Sequence, residues 1–433
     1  MKPEPILPKR LSRCDSGLLL GEHQTQTGYS LGSGYASNML KNVSERRSYF
    51  LTRALTTFLA MLFALGYSRS LGLTNRSLIA FIMISNSMIW ILATSGTTLT
   101  LRKLNPMLLN SRISKSFISL LSVEIVTAFI FFLATNLIYS RLKNELPRNL
   151  LIGVIVYFFF SGLHLLSIEI LIAFERFRIA GTLELVTIII QILAFYALMS
   201  LDALSLANSL LLAFSISYLT VFLFTLFTIR KSFSLSIGFS SPKEFYILTK
   251  GNHTLGFTLA VMDRLDRLLV GILLPTEMLG RFAVTSGMFT VFRFIPNATS
   301  KLLTSKSNSA LPNWIASKRI VVTLTLVLTL VTLFGSRLVV EFWLGTSWLL
   351  PLSVTFLILV QEIIRGAFEV NSSKSIVDGF SNLVHKQSVL IPIFTILIAY
   401  FSTQLFGIVA IPLTFSLSYL CGILFLKAKV SKL

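Results

Sequence analysis

Charge is scarce in this chain: Asp, Glu, Lys and Arg make up 13% of its 433 residues, about half the share of an ordinary soluble domain. Cysteine is scarcer. Cys14 and Cys421 are too few for a disulfide framework or a metal cluster, and none of the four histidines has metal-ligand spacing. No glycine-rich nucleotide loop, nucleophile elbow or paired metal-ligand motif occurs. These gaps argue against an enzyme, against a bound cofactor, and against an ATP-driven pump unless a separate subunit supplies the nucleotide site. Acid is the rarer sign, 18 residues against 38 basic ones, for a net charge of +20. In a soluble protein that excess would suggest a nucleic-acid partner. Here the basic residues lie mostly in short connections between apolar blocks, so membrane topology is the better explanation and no nucleic acid is expected.

What is present is hydrocarbon. Hydrophobic residues reach 54% and the mean hydropathy is +0.78. They fall in blocks at about 52–72, 78–101, 117–139, 150–174, 179–201, 208–229, 254–275, 282–300, 320–342, 347–370, 387–405 and 407–426. Each is long enough to cross a hydrocarbon core of roughly 30 Å. Backbone groups in lipid must be satisfied within their own segment, so these blocks are expected to be helices. The fold class is therefore an all-α polytopic membrane protein of about twelve transmembrane helices.

The longest internal connection, 231–253, is amphipathic and divides the helices into two sets of six, expected as lobes over 51–230 and 254–427 around a central cavity. Residues 1–50 are expected to be a polar, disordered cytoplasmic tail and 428–433 a second short tail. No secretory signal opens the chain, and MLKNVSERRSYF makes Met39 a second candidate start. The outer loops hold only Arg69, Arg76, Arg141, Lys143, Arg148, Arg281 and Arg337, and every other loop lysine or arginine falls inside if both termini are cytoplasmic. Trp343 and Trp348 flank a predicted outer turn, where interfacial aromatics are expected.

Against this background AVMDRLDRLLVGILLP, 260–275, stands out. Asp263, Arg264, Asp266 and Arg267 fall near mid-depth, where each lipid-facing charge costs about 2.5–3.5 kcal/mol on the insertion scale. Asp263 and Arg267 are four residues apart with Asp266 on the same side, so they can pair, while Arg264 points towards a neighbouring helix. Either the group is a buried clamp, or its arginines face a ligand in an aqueous cavity. Arg293 lies before Pro296, and Glu362, Arg365 and Glu369 share one helical face. The candidate cationic site is Arg264, Arg267, Arg293 and Arg365, with Asp263, Asp266, Glu362 and Glu369 as gating or pairing acids. Glu124 is a single acid in the third block. Glu169 and Glu184 are expected in an inner-surface cluster with Arg176 and Arg178, His164 as a packing residue, and Arg53 and Arg69 as snorkelling ends of the first helix.

SRSLGL (68–73), followed by a second block ending ATSGTTLTLRK (93–103), resembles the opening of polysaccharide flippases in the multidrug/oligosaccharidyl-lipid/polysaccharide export superfamily. MDRLDRLLVGILLPTEMLGRFAV (262–284) resembles that family's seventh helix, with Arg281-Phe282 where a Tyr usually follows the glycine. The resemblance implies a flippase of the O-antigen branch in the bacterial inner membrane. It would move an undecaprenyl-pyrophosphate-linked oligosaccharide by alternating access, coupled to a proton or sodium gradient. Its partners would be that lipid-linked sugar, membrane lipids, and the polymerase and chain-length regulator of the same pathway. A multidrug or cation exporter of the same superfamily is the alternative, and a membrane-embedded polysaccharide polymerase a more distant one.

Overall fold

The computed structural model describes residues 32–103, 111–143, 150–201, 204–229, 264–289, 318–377 and 380–430, with single residues between 243 and 300. The chain forms two units, Met1–Asn42 and Val43–Leu433, and the architecture below is that of the second. The helices are α1 (Gly32–Lys103), α2 (Ser111–Lys143), α3 (Leu151–Ala173), α4 (Phe177–Met199), α5 (Leu206–Ile229), an unlabelled stretch over 264–273, α6 (Thr276–Phe289), α7 (Lys318–Leu344), α8 (Leu352–Val377), α9 (Ser381–Phe406) and α10 (Ala410–Val430). No strand occurs among the described residues.

Six of the described segments are long and apolar enough to cross a membrane. Two of them, of 48 and 40 residues, exceed the roughly 20 residues of one crossing. Each is broken by a glycine with positive φ: Gly72 (φ 71°) inside α1 and Gly407 (φ 58°) between α9 and α10. The first two expected blocks are thus one interrupted helix, turning at Gly72 rather than through a polar loop. Ser and Thr hydroxyls along the helices donate to the carbonyl one turn back, as at Thr56, Ser85 and Thr187. That local bond satisfies a polar atom that lipid cannot. Large apolar side chains such as Ile130, Phe227, Phe394 and Phe401 are exposed, as lipid-facing residues must be.

The helices group into two lobes. In the first, α3, α4 and α5 pack on one another around Trp90, Phe132, Phe158, Phe195 and Phe214. Gly162 lets α3 lie against Trp90, whose indole N–H donates to the Phe158 carbonyl at 2.7 Å; a Cβ there would fall 2.1 Å from the ring. In the second lobe α8, α9 and α10 pack together and α6 packs on α8. The part of α1 after Gly72 serves both. Ile79, Ile82 and Ile89 enter the first core, whereas Ala80, Phe81 and Ile84 join Leu265, Leu269, Phe282 and Val354 in the second. A helix apolar on all sides can be buried on two faces.

Two expectations change here. Trp348 is 6% exposed and packs with Leu65, Val284, Met288 and Val340, so it is a core residue; Trp343, at 44%, remains on the surface. Arg76 belongs to α1 and is buried, because the tight turn at Gly72 leaves no outer loop to hold it. The linker expected at 231–253 and Cys14 lie outside the described residues, apart from Lys243, Tyr246 and Thr249.

Candidate functional site

The turns that end the first block and open the eighth meet each other. Gly280 on α6 donates its backbone N–H to Ser77 Oγ at 2.9 Å, and Ser77 Oγ in turn donates to the Leu73 carbonyl at 2.9 Å. A Cβ at Gly280 would lie 2.5 Å from Ser77 Oγ and 3.1 Å from the Leu73 carbonyl oxygen. Only glycine allows this approach. It sets α6 beside the first half of α1, where Leu65, Val284, Met288, Val340 and Trp348 form an apolar contact between the lobes.

Between α1 and α6 lies a cavity of about 270 Å³. Arg53 and Arg76 mark its two ends on α1, Thr56 and Thr57 line its wall, and Met61, Leu65, Ala283, Val284 and Met288 supply apolar surface. Among the described residues, no carboxylate lines it. Arg76 is 6% exposed, donates from Nε to Ser68 Oγ at 2.9 Å, and lies over the Tyr67 ring at 5.0 Å. Arg53 is half-buried and ion-paired with Glu184 of α4. Gly181 makes that pair possible, since a Cβ there would stand 2.2 Å from Thr52 Oγ1. Arg53 therefore does not simply snorkel but pairs with Glu184 between helices. Arg176 donates to the Thr228 carbonyl at 3.3 Å.

The charges that the sequence singled out gather elsewhere. Asp266 and Glu362 are wholly buried, and Arg267 and Arg365 are 8% and 3% exposed. Gln361 donates to Asp266 Oδ2 at 2.6 Å. Arg267 and Arg365 both reach Glu362 Oε1, at 3.4 and 3.3 Å, and Arg365 lies 3.8 Å from Asp266 Oδ2. The Arg267 backbone N–H donates to Asp266 Oδ1 at 2.8 Å. This is a compact network inside the second lobe, and neither Arg267 nor Arg365 lines the cavity between the lobes. Among the described residues, the arginines that line this cavity are Arg53 and Arg76. Glu369 is half-buried on the same helix; Asp263 and Arg293 lie outside the described residues.

Arg264 takes a separate course. Its charge acts on the hydroxyls of Tyr157 (α3) and Tyr218 (α5), which are hydrogen-bonded to each other, with Gln191 also bonded to Tyr218. His164 stacks on Tyr218 at 4.5 Å and 17°, consistent with a packing role. Glu124 accepts a hydrogen bond from Thr97. Arg53 and Arg76 were missed as a pair because each sits near the end of an apolar block, where a basic residue ordinarily marks topology. Their shared cavity appears only once Gly72 folds α1 back and Gly280 docks α6.

No family model and no curated protein matches this chain. Solved structures do. A point mutant of the MATE transporter VcmN of Vibrio cholerae aligns over 90% of this chain and 99% of its own, at 13% identity and a TM-score of 0.54. The eukaryotic MATE transporter AtDTX14 aligns over 90% and 96%, at 14% identity and a TM-score of 0.58. An inward-facing multidrug resistance MATE family transporter of the MOP superfamily aligns over 87% and 95%, at 11% and 0.59. The chain accordingly has the two-lobed helical fold of MATE transporters, the architecture of a polytopic membrane transporter.

Proposed function

We propose that this chain is an ion-gradient-driven exporter of amphipathic organic molecules, working by alternating access between its two lobes. Its likeness to MATE transporters, one of them described as a multidrug resistance transporter, supports this broader exporter reading above the narrower one of a polysaccharide flippase. The observation that carries the proposal is the cavity between α1 and α6, bounded by helices of both lobes. A rocking motion of one lobe against the other would open such a space alternately to each side. Its apolar wall suits a hydrophobic body, and its two arginines, with no lining acid among the described residues, suit an anionic or polar head.

The flippase of a lipid-linked oligosaccharide is the second reading, favoured by the same two arginines, because a pyrophosphate is a dense anion. A cation-selective cavity is the form of the exporter reading that this lining favours least. Export can be measured in proteoliposomes under an imposed proton or sodium gradient, with an anionic and a cationic amphipathic dye offered separately. Gradient-dependent export of the anionic dye is expected, reduced at least tenfold, about 1.4 kcal/mol, in Arg76→Gln and largely retained in Arg53→Lys. Export of only the cationic dye, unchanged in Arg76→Gln, would overturn the assignment of the cavity. Complementation of a flippase-null strain tests the second reading independently.

A further inference from the structure

A second cavity, of about 210 Å³, lies wholly within the first lobe at the other end of its helices. The last turns of α1, α3 and α5 and the first turns of α2 surround it, with Leu101, Phe117, Leu121, Leu166, Phe174 and Phe222 among its walls. Its accessible surface is entirely apolar. Thr97, bonded to Glu124, stands one turn beyond its inner limit, and so does Tyr218, on which His164, beside the lining residue Leu163, is stacked. Along α3, from Phe174 to Leu163, the cleft spans eleven helical rises, about 16 Å, close to one leaflet's share of a hydrocarbon core roughly 30 Å thick. It is a slot one monolayer deep.

The mouth of the slot is basic. Half-buried Lys115 stands two residues before Phe117, and half-buried Arg176 two residues after Phe174. In sequence, Arg102 and Lys103 follow Leu101, Arg112 precedes Lys115, and Arg178 follows Arg176, against the one acid Glu175. A further observation points to an occupant. Thr225, 2% exposed, lines the slot one turn from the end of α5, and its Oγ1 has no hydrogen-bond partner. A buried hydroxyl without a partner is costly; Thr225 Oγ1 does not itself reach the slot's surface, and rotation about its Cα–Cβ bond would bring it there, where the ester carbonyl of a phospholipid, at the boundary between headgroup and tail, could accept its proton.

We propose that this slot holds one acyl chain of an anionic phospholipid, with the ester carbonyl beside Thr225 and the phosphate between Lys115 and Arg176. Positive residues near an anionic leaflet are attracted to it, and the recess takes a tail that a convex helix surface would leave mobile. The bound lipid would brace α2 against α3 and α5 at the basic face of the first lobe.

The test uses the purified full chain in vesicles of phosphatidylcholine containing a minor fraction of phosphatidylglycerol. A trace of phosphatidylglycerol carries a photoactivatable diazirine on one acyl chain, and a parallel sample carries the same group on phosphatidylcholine. Mass spectrometry after illumination should find the phosphatidylglycerol label concentrated in 163–174 and 222–229. Thr225→Trp, which fills the slot, should lower it several-fold, and Lys115→Gln with Arg176→Gln should abolish the preference over phosphatidylcholine. Thr225→Val keeps the shape, and removes the hydroxyl, should the bulkier variant fail to elute as a single species. Label spread evenly over lipid-facing helices such as α9, or equal labelling of the slot by both lipids, would overturn the proposal.

Discussion

Arg267 and Arg365 converge on a single carboxylate oxygen of Glu362, and the cost of taking four charges out of water is offset only while every partner stays in place. Breaking a buried pair by removing one member typically costs 3–5 kcal/mol, because the partner is left charged and uncompensated. Glu362→Leu is therefore expected to lower thermal stability in detergent by about that amount. The double replacement Glu362→Leu with Arg365→Met should recover much of the loss, as coupled neighbours do in a double-mutant cycle. Additive losses would show that the network is not a unit. Arg267→Ala belongs with these variants: its export defect should follow its loss of folded protein. Arg76→Gln, in the cavity, should reduce transport with a smaller change in stability.

At the scale of helices, glycine decides what the arginines can reach. Gly72 has φ 71° and ψ 172°, a region that side chains rarely enter, at about 1–3 kcal/mol of strain; Gly72→Ala should lower stability by that order in thermal unfolding. Gly181→Val should push α4 away from Thr52 and part Glu184 from Arg53, and the check is whether removing Glu184 afterwards costs nothing further. Among the described residues the blocks are helical, because uninterrupted apolar runs of about twenty residues leave the backbone no alternative in lipid. The block pattern also placed Asp266, Arg267, Glu362 and Arg365 among the special charges, since mid-block charges demand partners. It did not show that those four satisfy one another, nor that Arg53 and Arg76 share a cavity. Both facts depend on which helices touch, and hydropathy is blind to that. Ser77 and Gly280, which fix the docking of α6, are small residues at block ends with no periodic signature.

For the whole molecule, the contact of Leu65 with Val284, Met288 and Trp348 joins the lobes at the end where α1 turns at Gly72. If this joint must part in each cycle, a disulfide between cysteines at positions 65 and 288, in a background with Cys14 and Cys421 replaced by serine, should arrest export reversibly. Reductant should restore it; undiminished transport by the oxidised protein would show that the joint stays closed throughout. Among the described residues, the second lobe, for its part, carries four buried charges, two of each sign. A membrane potential acts on net charge, about 2.3 kcal/mol per elementary charge per 100 mV, so these four together feel almost no force along the field. A guanidinium such as Arg76, held by a hydroxyl and an aromatic ring, has no such cancellation. Voltage would then bear on the lobe that carries the cavity's arginines, and an anion docked there would alter how strongly the cell's electrical polarisation drives each turnover.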